Sequence, residues 1–371
     1  MKIALVHDYL AQDGGAERVV RAFHEIWPEA PIFVLFNKRG AVKGFEDAEI
    51  RESFLRFLPF GRTHYQWYLP WMPLATERHN LHEFDIVISS TSAFAKGVLT
   101  RPDTLHICYC HTPTRYLWTD THEYLAELQY NRLVKAFLPR LLHHLRLWDK
   151  SSVDRVDQFI ANSNTVRQRI QKYYRRSSDV IHPPVDYQDF FVGKEVGDYF
   201  VTGGRLTAYK RFDIVIEAFN RLGWKLKIFG SGPDWWKDVK AKAKPNIEFV
   251  GRVSDKEKAE LLSKAKAFIH PQVEDFGITP VEAMASGVPV IAYGVGGVTE
   301  SVIPGKTGVF FHEQTWESLL DILLQFDAMA WDRQTIRAHA EQFSVEKFKR
   351  TIRQYVEDKY KDYKETQRLI G

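Results

Sequence analysis

The chain lacks several features that would assign it to a class of protein at once. Only two of its 371 residues are cysteine, Cys108 and Cys110, and one residue separates them. Such a pair is not the framework of a disulfide-stabilised secreted domain, so the sequence predicts reduced thiols in a cytosolic protein. The longest stretch without Asp, Glu, Lys or Arg, residues 283–299, contains four glycines and a proline. That composition excludes a membrane-spanning helix there, and Ile3–Val6 predicts a strand rather than a signal peptide.

A strong charge of one sign is also missing. Lysine and arginine number 51 against 47 acidic residues, for a net charge of +4, which does not indicate a nucleic-acid binder. Hydrophobic residues make up 44% and charged residues 26%, the composition of a globular protein. Three motifs do not occur: Asp-x-Asp, Gly-x-Gly-x-x-Gly and Gly-x-Ser-x-Gly. Their absence argues against a common metal signature, a dinucleotide fingerprint and a hydrolase nucleophile elbow.

Two series of short apolar strands, alternating with helical patterns, run along the chain. In the first series these strands are Ile3–Val6, Ile32–Phe36, Ile86–Ser89, His106–Cys110 and Phe159–Ala161. In the second series they are Phe200–Thr202, Leu226–Phe229, Ile247–Val250, Ala267–His270, Val290–Ala292 and Val309–Phe311. Strands that alternate with helices form parallel sheets. The sequence therefore predicts an α/β protein of two Rossmann-like, doubly wound domains, with ligands at a cleft along the carboxyl ends of both sheets.

The predicted domains are residues 1–190 and 191–344. Between the two series, His182-Pro183-Pro184-Val185-Asp186 ends the first rhythm, because paired prolines continue neither a helix nor a strand. The last stretch, about residues 345–371, is a long helical pattern rich in Lys and Glu. We expect this helix to pack back towards the N-terminal domain.

Two glycine-containing loops follow strands and suit an anion. Gly14 and Gly15 stand between the first strand and a helix, where backbone amides and the helix N-terminus attract negative charge. In the second domain, Gly203-Gly204-Arg205-Leu206-Thr207-Ala208-Tyr209-Lys210 again follows a strand, and both cations can reach one diphosphate. Taken separately, the first loop is also explained as a flexible turn and the second as a solvated basic loop.

The strongest signal is a pair of acids separated by seven residues, Glu274 and Glu282. Thr279-Pro280 is expected to start a helix, with Thr279 as its N-cap, and Glu282 then stands just inside it. Capping alone gives no reason for Glu274, Phe276 and Gly277 together. The two acids suit the sugar and the ribose of one ligand.

Together, the Glu-x7-Glu pattern, the Arg205–Lys210 pair and the Gly-Gly loop resemble glycosyltransferase family 4. The resemblance covers almost the whole chain, including Asn162-Ser163 and the segment around Pro183. It implies retaining enzymes of the GT-B fold that use nucleotide-sugar donors. No metal or other cofactor is expected, because the two cations would take over the electrostatic work of a metal ion.

The resemblance also implies roles for individual residues. Glu274 contacts hydroxyls of the donor sugar beside the amides of Gly277 and Ile278, and Glu282 binds the ribose. Arg205 and Lys210 stabilise the departing diphosphate. Gly14 and Gly15 approach the same phosphates from the N-terminal domain. The other expected donor-site residues lie in the loops around these groups: Gly204, Gly230, Arg252, Val253, Phe276 and Thr279.

The acceptor side is expected in the N-terminal domain. His111 matches the family's active-site histidine beside the reacting sugar, although a histidine at a strand end is also commonly structural. The motif His-Thr-Pro-x-Arg-Tyr-x-Trp at residues 111–118 resembles bacterial mannosyltransferases that build polysaccharides on lipid carriers. It favours mannose from GDP-mannose and a lipid-linked or oligosaccharide acceptor.

Two segments suggest contact with a membrane. Residues 54–76 contain seven aromatic residues, two arginines and no acid, a composition that suits a bilayer interface. Residues 130–150 are basic, with an apolar stripe of Leu133, Phe137, Leu141, Leu145 and Trp148. That stripe is equally explained by packing on its own domain. The expected location is the cytoplasm, peripherally on the inner face of the cytoplasmic membrane.

The sequence leads to a retaining hexosyltransferase of cell-surface polysaccharide synthesis. Two alternatives stay open: a sugar-nucleotide epimerase of the same fold, and a protein that binds nucleotide sugars without catalysis. No nucleic-acid partner is expected.

Overall fold

The chain forms two compact units in a computed structural model that describes residues 1–59, 64–122, 125, 132–232 and 236–370. Unit 1 comprises Met1–Pro183 and Phe348–Gly371, and unit 2 comprises Pro184–Lys347. The sequence places the division later, after residue 190. The structure divides the chain between the paired prolines because Val185 already pairs with Ser344, near the other end of unit 2.

Unit 1 contains a parallel sheet of seven strands within the described residues, in the order β3-β2-β1-β4-β5-β6-β7. Its strands are β1 (Ile3–His7), β2 (Ile32–Val34), β3 (Ile50–Glu52), β4 (Ile86–Thr91), β5 (Leu105–Cys110), β6 (Gln158–Ala161) and β7 (Asp179–Val180). The order changes direction between β1 and β4, so the loops that follow these two strands diverge and leave a crevice at their carboxyl ends.

Unit 2 repeats this arrangement with six strands in the described part, in the order β10-β9-β8-β11-β12-β13. They are β8 (Tyr199–Gly203), β9 (Lys225–Phe229), β10 (Ile247–Gly251), β11 (Phe268–His270), β12 (Val290–Tyr293) and β13 (Gly308–Phe311). Here the direction changes between β8 and β11. The predicted pair of doubly wound, Rossmann-like α/β domains is confirmed.

Helices cover both sheets. In unit 1 the described α-helices are α1 (Gly15–Ile26), α2 (Met72–Glu77), α3 (Arg115–Trp118), α4 (Arg132–Ser152) and α5 (Asn164–Arg169). In unit 2 they are α6 (Phe212–Leu222), α7 (Trp236–Ala241), α8 (Asp255–Ser263), α9 (Ile278–Ala285), α10 (Val298–Ser301), α11 (Trp316–Gln325) and α12 (Arg333–Ala340). The last helix, α13 (Val345–Ile370), continues from unit 2 into unit 1.

Helices α1 and α13 pack together in the core of unit 1. Phe23 of α1 stacks on Phe348 of α13 with ring centroids 5.9 Å apart, and both rings meet Tyr109 of β5 edge-on. Burying each such side chain contributes about 1.5–3 kcal/mol. The C-terminal helix therefore completes the core of unit 1. None of the described helices combines the length and the apolar character that crossing a bilayer requires.

Candidate functional site

Two loops meet beside the change of strand order in unit 2, at the carboxyl ends of the neighbouring strands β8 and β9. The first follows β8 and the second follows β9, and their backbones hydrogen-bond from the Gly204 N–H to the Phe229 carbonyl at 3.1 Å. Gly204 and Gly230 both have a positive φ, of 130° and 124°. A Cβ at Gly230 would lie 1.9 Å from the Gly204 carbonyl oxygen. Glycine is therefore required for these loops to approach each other, and Gly204 and Gly230 lie together as predicted for one site.

Lys210 and Glu274 form an ion pair beside these loops. The Nζ of Lys210 lies 2.7 Å from Oε1 of Glu274, and the two side chains are 10% and 21% exposed. Gly204 borders the same ammonium group, since a Cβ there would lie 3.1 Å from Nζ. The structure thus brings together three of the residues predicted for the donor site, from the loops after β8 and β11.

Both members of this pair are held in their charged forms. Burial opposes the charge of each, but Glu274 raises the pKa of Lys210 above its ordinary value. In the same way, burial would raise the pKa of Glu274, and Lys210 with smaller contributions from His270 and Gln272 lowers it to about 2. Around neutral pH the site therefore presents a cation and an anion side by side.

Two polar residues at this position were missed by the sequence analysis. His270 ends β11 and is fully buried, and neither ring nitrogen has a hydrogen-bond partner among the described residues. Burial lowers its pKa to about 4, so the ring is neutral. Gln272 donates from Nε2 to Oε1 of Glu274 at 3.3 Å. Their position in the sequence could have indicated a site, because both are polar residues at the carboxyl end of an inner strand of an α/β sheet, where ligands bind.

The backbone around Glu274 is fixed by the loop after β12 and by the start of α9. The Gly297 amide donates to the Glu274 carbonyl at 2.9 Å. Thr279 was predicted as the N-cap of α9, and this prediction is wrong. The helix begins at Ile278 with Gly277 as its N-cap, at φ 90° and without a capping side chain. A glycine adopts this left-handed conformation without strain, so the chain enters the helix two residues earlier.

Glu282 has a partner of its own. Its carboxylate is buried on α9 and accepts from Nζ of Lys258 on α8 at 2.9 Å. It lies in the second turn of α9 rather than just inside the helix, because α9 starts earlier than predicted. The ribose contact predicted for Glu282 therefore involves a carboxylate that is already paired with a lysine.

The other predicted donor-site residues differ in exposure. Arg205 and Arg252 are exposed, whereas Val253, Ile278 and Thr279 are partly buried. The Phe276 ring is buried in the core of unit 2 against Phe343, with centroids 5.5 Å apart. Because its ring is buried, Phe276 can contact a donor as predicted only through its backbone.

In unit 1, the predicted residues lie at the carboxyl ends of β1 and β5. Gly14 is the N-cap of α1 and has no capping side chain, and Gly15 is the first helical residue, so the first amides of this helix can serve an anion. His111 follows β5 and is nearly buried, with Nε2 hydrogen-bonded to Oγ of Ser90 at 2.8 Å. Burial and the nearby His7 lower the pKa of His111 to about 3. His111 is therefore neutral at physiological pH.

A buried carboxylate anchors the segment after His111, and the sequence analysis did not identify it. Asp149 of α4 accepts from Nζ of Lys96 at 2.5 Å, from Nε1 of Trp118 at 2.7 Å and from Oγ1 of Thr114 at 3.0 Å. Both charged side chains are 1% exposed. This single group ties the motif at residues 111–118 to α4 and to the loop after β4.

The apolar stripe predicted for α4 agrees with the structure over its second half. Leu145 is buried and Leu141 and Trp148 pack against the same cluster, whereas Phe137 is 70% exposed and the side chain of Leu133 lies outside the described part. Leu138, Leu142 and Asp149 are also buried, so the inward face of the helix is wider than the predicted stripe and includes a charged residue. A polar residue that is buried through a distant partner cannot be recognised by hydrophobic periodicity.

Metal-binding and thiol chemistry have few candidate groups in the described residues. No three His, Cys, Asp or Glu side chains of that part are grouped as the ligands of a metal ion. Cys108 and Cys110 are buried and form no disulfide, and burial raises the pKa of Cys108 to about 12. Independence from metal stays a prediction.

Comparison with protein families assigns both halves of the chain. Residues 13–189 match the model described as Glycosyltransferase Family 4, and residues 189–343 match the one described as Glycosyl transferases group 1. Together with the two Rossmann-like sheets, these matches define a GT-B glycosyltransferase. The two glycosyltransferase models together cover residues 13–343 of the chain.

Three curated relatives illustrate the similarity. The chain is 31% identical over 191 residues to the O-antigen chain mannosyltransferase RfbU of Salmonella typhimurium, over 48% of this chain and 54% of the relative. An uncharacterized glycosyltransferase of Methanocaldococcus jannaschii is 28% identical over 54% of this chain and 58% of its own length. The alpha-1,3/1,6-mannosyltransferase alg2 of Schizosaccharomyces pombe is 23% identical over 83% and 70%. The chain thus spans little more than half the length of the first two.

Solved structures share the fold. Anabaena Alr3699/HepE, in complex with UDP and glucose, matches with a TM-score of 0.69 at 18% identity, over 96% of this chain and 99% of that one. Sucrose-phosphate synthase from Thermosynechococcus elongatus matches with a TM-score of 0.77 at 15% identity, over 98% and 100%. At these identities the likeness concerns the fold alone.

Proposed function

We propose that this protein is a retaining glycosyltransferase that moves a hexose from a nucleotide sugar to a lipid-linked or oligosaccharide acceptor. The observation that carries the proposal is the Lys210–Glu274 pair at the change of strand order in unit 2, where its Nζ and Oε1 lie 2.7 Å apart beside the Gly204 loop. It supplies a cation for a diphosphate and an anion for sugar hydroxyls in one place.

The pair leaves hydrogen-bonding capacity for a donor. An ammonium group has three donors, and one of those of Lys210 is directed at Glu274. The others suit diphosphate oxygens, with the exposed Arg205 as a second cation. The second oxygen of Glu274 suits a sugar hydroxyl, and its low pKa keeps it an acceptor. Stabilising the charge that develops on the leaving diphosphate is the electrostatic contribution that accelerates such a reaction.

In the proposed reaction the bond between the anomeric carbon and the diphosphate oxygen breaks. The acceptor hydroxyl attacks the same face of that carbon, and its proton passes to the departing diphosphate. No protein nucleophile is needed, and the configuration at the anomeric carbon is retained. Lys210 and Arg205 take over the role of a metal ion, so the reaction proceeds without one.

Mannose from GDP-mannose is the proposed donor, in the synthesis of a cell-surface polysaccharide. The motif at residues 111–118 supports it, as do two relatives named as mannosyltransferases, one of them acting on the O-antigen chain. The solved structure of HepE holds UDP and glucose, so uridine donors belong in the same test.

Incubation of the purified protein with several nucleotide sugars, with and without glycan or lipid-linked acceptors, tests the proposal. We expect transfer from GDP-mannose that needs an acceptor and persists with a chelator. A bound donor at 100 times its Kd stabilises the protein by about 2.7 kcal/mol, so a thermal shift identifies the donor before an acceptor is known. A new nucleotide sugar formed without acceptor would establish the epimerase instead, and binding without turnover would establish the non-catalytic alternative.

Variants of the ion pair link the reaction to the site. Lys210→Met is expected to lower transfer by about 100- to 1,000-fold, the typical cost of losing one group that stabilises transition-state charge. Lys225→Met is the matched control because its ion pair with Asp198, 65% exposed on both sides, lies on the surface of the same unit. Near-normal turnover of Lys210→Met would contradict the assignment.

A membrane contact through unit 1 is part of the proposal. Five large apolar side chains are more than half exposed around one cluster of that unit, and we call them the aromatic–basic surface: Phe57, Trp67, Trp71, Phe137 and Leu147. The acid nearest to them on α4, Asp149, is buried against Lys96. The exposed charges of α4 after Leu138 are therefore basic, as contact with anionic headgroups requires. Phe60 and Arg62 of the predicted segment lie outside the described residues.

Flotation with vesicles containing anionic lipid tests this contact. We expect the protein to float, and Trp67→Ser with Trp71→Ser to stay at the bottom of the gradient. Leu324→Ser with Met329→Ser is the matched control, since both residues lie in unit 2 and are more exposed than Trp67 and Trp71. Absence of wild-type binding would exclude a location on the inner face of the cytoplasmic membrane.

A further inference from the structure

A buried histidine that no part of the proposed reaction uses lies next to His111. His7 ends β1 and is 4% exposed. Its Nδ1 is 3.0 Å from the Ser90 carbonyl oxygen, and its Nε2 is 3.8 Å from Oε1 of Glu17 in the first turn of α1. A carbonyl oxygen only accepts, so Nδ1 carries a proton. The titrating nitrogen is therefore Nε2, which faces a carboxylate.

This geometry favours a positive charge on His7. An unprotonated Nε2 would direct its lone pair at the Glu17 carboxylate, whereas a protonated one forms an ion pair with it. Burial lowers the pKa of His7, but the nearby carboxylate of Glu17, with a smaller effect of Asp8, outweighs it and raises the pKa above its ordinary value. The groups that face the ring are Glu17 from α1, Ser90 from β4, His111 after β5 and Asp8, which follows His7 directly.

The carboxylate of Asp8 is held by the loop after β4. It accepts hydrogen bonds from four backbone amides, those of residues 92–95, at 2.7–2.9 Å. Among the described residues Glu17 forms an ion pair with His7 alone, so Glu17 is the counter-ion of His7.

The pair touches both site elements of unit 1. A Cβ at Gly14 would lie 3.0 Å from Oε2 of Glu17, so the Gly14–Gly15 loop rests on the carboxylate. On the other side, Ser90 links the two histidines: its carbonyl binds His7 and its hydroxyl binds His111 at 2.8 Å. The charge of His7 also disfavours protonation of His111.

We infer that His7 and Glu17 form a buried charged pair that positions the Gly14–Gly15 loop and keeps His111 neutral, and that transfer requires the protonated form of His7. Both are positioning residues rather than catalytic ones. The role in transfer rests on the proposed function, while the existence of the pair does not.

The pair makes the protein sensitive to alkaline pH. A group whose pKa is raised on folding stabilises the folded state below its unfolded pKa, and this stabilisation is lost as the pH rises through the folded value. Deprotonation of His7 leaves Glu17 without its partner beneath the Gly14 loop. Activity is therefore expected to fall on the alkaline side as His7 loses its proton.

The test is a titration of the histidine ring nitrogens by NMR on the full chain, alongside the pH profile of transfer. In Glu17→Gln the titration of His7 is expected to move down by about one to three pH units, the effect of losing a nearby opposite charge. The alkaline limb of transfer is expected to move with it. Asp47→Asn is the matched control, because Asp47 lies 3.2 Å from a different histidine, His24 of α1, and far along the chain from Gly14. This variant should leave both the His7 titration and the pH profile of transfer unchanged.

Each outcome decides a separate part of the inference. An unchanged His7 titration in Glu17→Gln would overturn the pair. A shifted titration with an unchanged alkaline limb would overturn its role in transfer. If the wild type transfers no sugar at all, the proposed function fails. The existence of the ion pair is then still tested by the His7 titration and by the thermal stability of the wild type and His7→Gln between pH 6 and 9. His7→Gln should abolish the alkaline loss of stability.

Discussion

Removing one charge of the Lys210–Glu274 pair is expected to cost both stability and activity, and removing both charges is expected to separate the two effects. The pair is largely buried, with side chains 10% and 21% exposed. In Lys210→Met the carboxylate stays in the site without its counter-ion, and in Glu274→Gln the ammonium does. The double variant Lys210→Met/Glu274→Gln keeps the size of both side chains and leaves no unpaired charge.

The magnitude follows from the burial. Breaking a buried ion pair from one side typically destabilises a protein by 3–5 kcal/mol, whereas replacing both members is often close to neutral. Because a fifth of the Glu274 side chain reaches solvent, we expect about 3 kcal/mol for each single variant. In a unit that spans residues 184–347, this corresponds to a decrease in Tm of about 6–12 °C. The double variant should recover most of it.

The pH dependence gives a second check on the same pair. The pKa of Glu274 is lowered to about 2 from an ordinary 4.5, so its stabilising contribution is complete above pH 4.5 and is lost as the pH falls towards 2. The pKa of Lys210 is raised, so its contribution persists to pH 10.5 and beyond. The deficit of Lys210→Met should therefore be constant between pH 5 and 10 and shrink in acid.

Calorimetry and a transfer assay on the four proteins complete the cycle. We expect transfer to be lowered by at least about 100-fold in all three variants, including the double variant with restored stability, in which the donor meets neither charge. Transfer by the double variant would refute the assignment of the pair to the site. Equal stability of all four proteins would instead refute the electrostatic account and place the carboxylate in contact with solvent.

Two further predictions concern groups that hold the loops of each unit. Asp149→Asn should destabilise unit 1 by about 3–5 kcal/mol in denaturant unfolding, because it leaves the buried Lys96 without a counter-ion. Asp198→Asn, at an exposed pair, should have a much smaller effect, and equal effects would contradict this. Gly230→Ala should displace the Gly204 loop, since a Cβ at residue 230 would lie 1.9 Å from the Gly204 carbonyl oxygen. The Kd of a nucleotide-sugar donor, measured by thermal stabilisation, should rise at least about tenfold. Unchanged donor binding would show that the loops do not need their close approach.

The sheets could be predicted from the sequence because each inner strand is a short apolar run. All eleven predicted strands occur within a residue or two of their expected limits. The two strands missed, β3 and β7, lie at the edges of the first sheet. β3 is half-buried with Arg51 at its centre, and β7 has only two residues. An edge strand is covered on one side only and need not be apolar, so hydrophobicity does not reveal it.

The candidate site was predictable where a residue type is rare for its place, as with Glu274 and Lys210 next to glycine loops. The partners of these residues were not predictable. Nothing near Glu282 in the sequence points to Lys258, and nothing near Asp149 points to Lys96, because such pairs join segments that only the folded chain brings together. The same holds for Glu17, whose place in the first turn of α1 suggests only a favourable interaction with the helix dipole.

In each unit an ion pair lies next to the change of strand order of the sheet, and the two pairs respond to pH in opposite directions. His7–Glu17 joins β1 to α1 in unit 1, and Lys210–Glu274 joins the loops after β8 and β11 in unit 2. The first loses its stabilisation as His7 deprotonates in alkali, and the second as Glu274 is protonated in acid. In calorimetry across a range of pH, the unfolding temperature of unit 1 should fall first on the alkaline side. That of unit 2 should fall first on the acid side. Glu17→Gln should abolish only the alkaline effect and Glu274→Gln only the acid one, whereas a loss of both effects in either variant would show that the two pairs do not act independently.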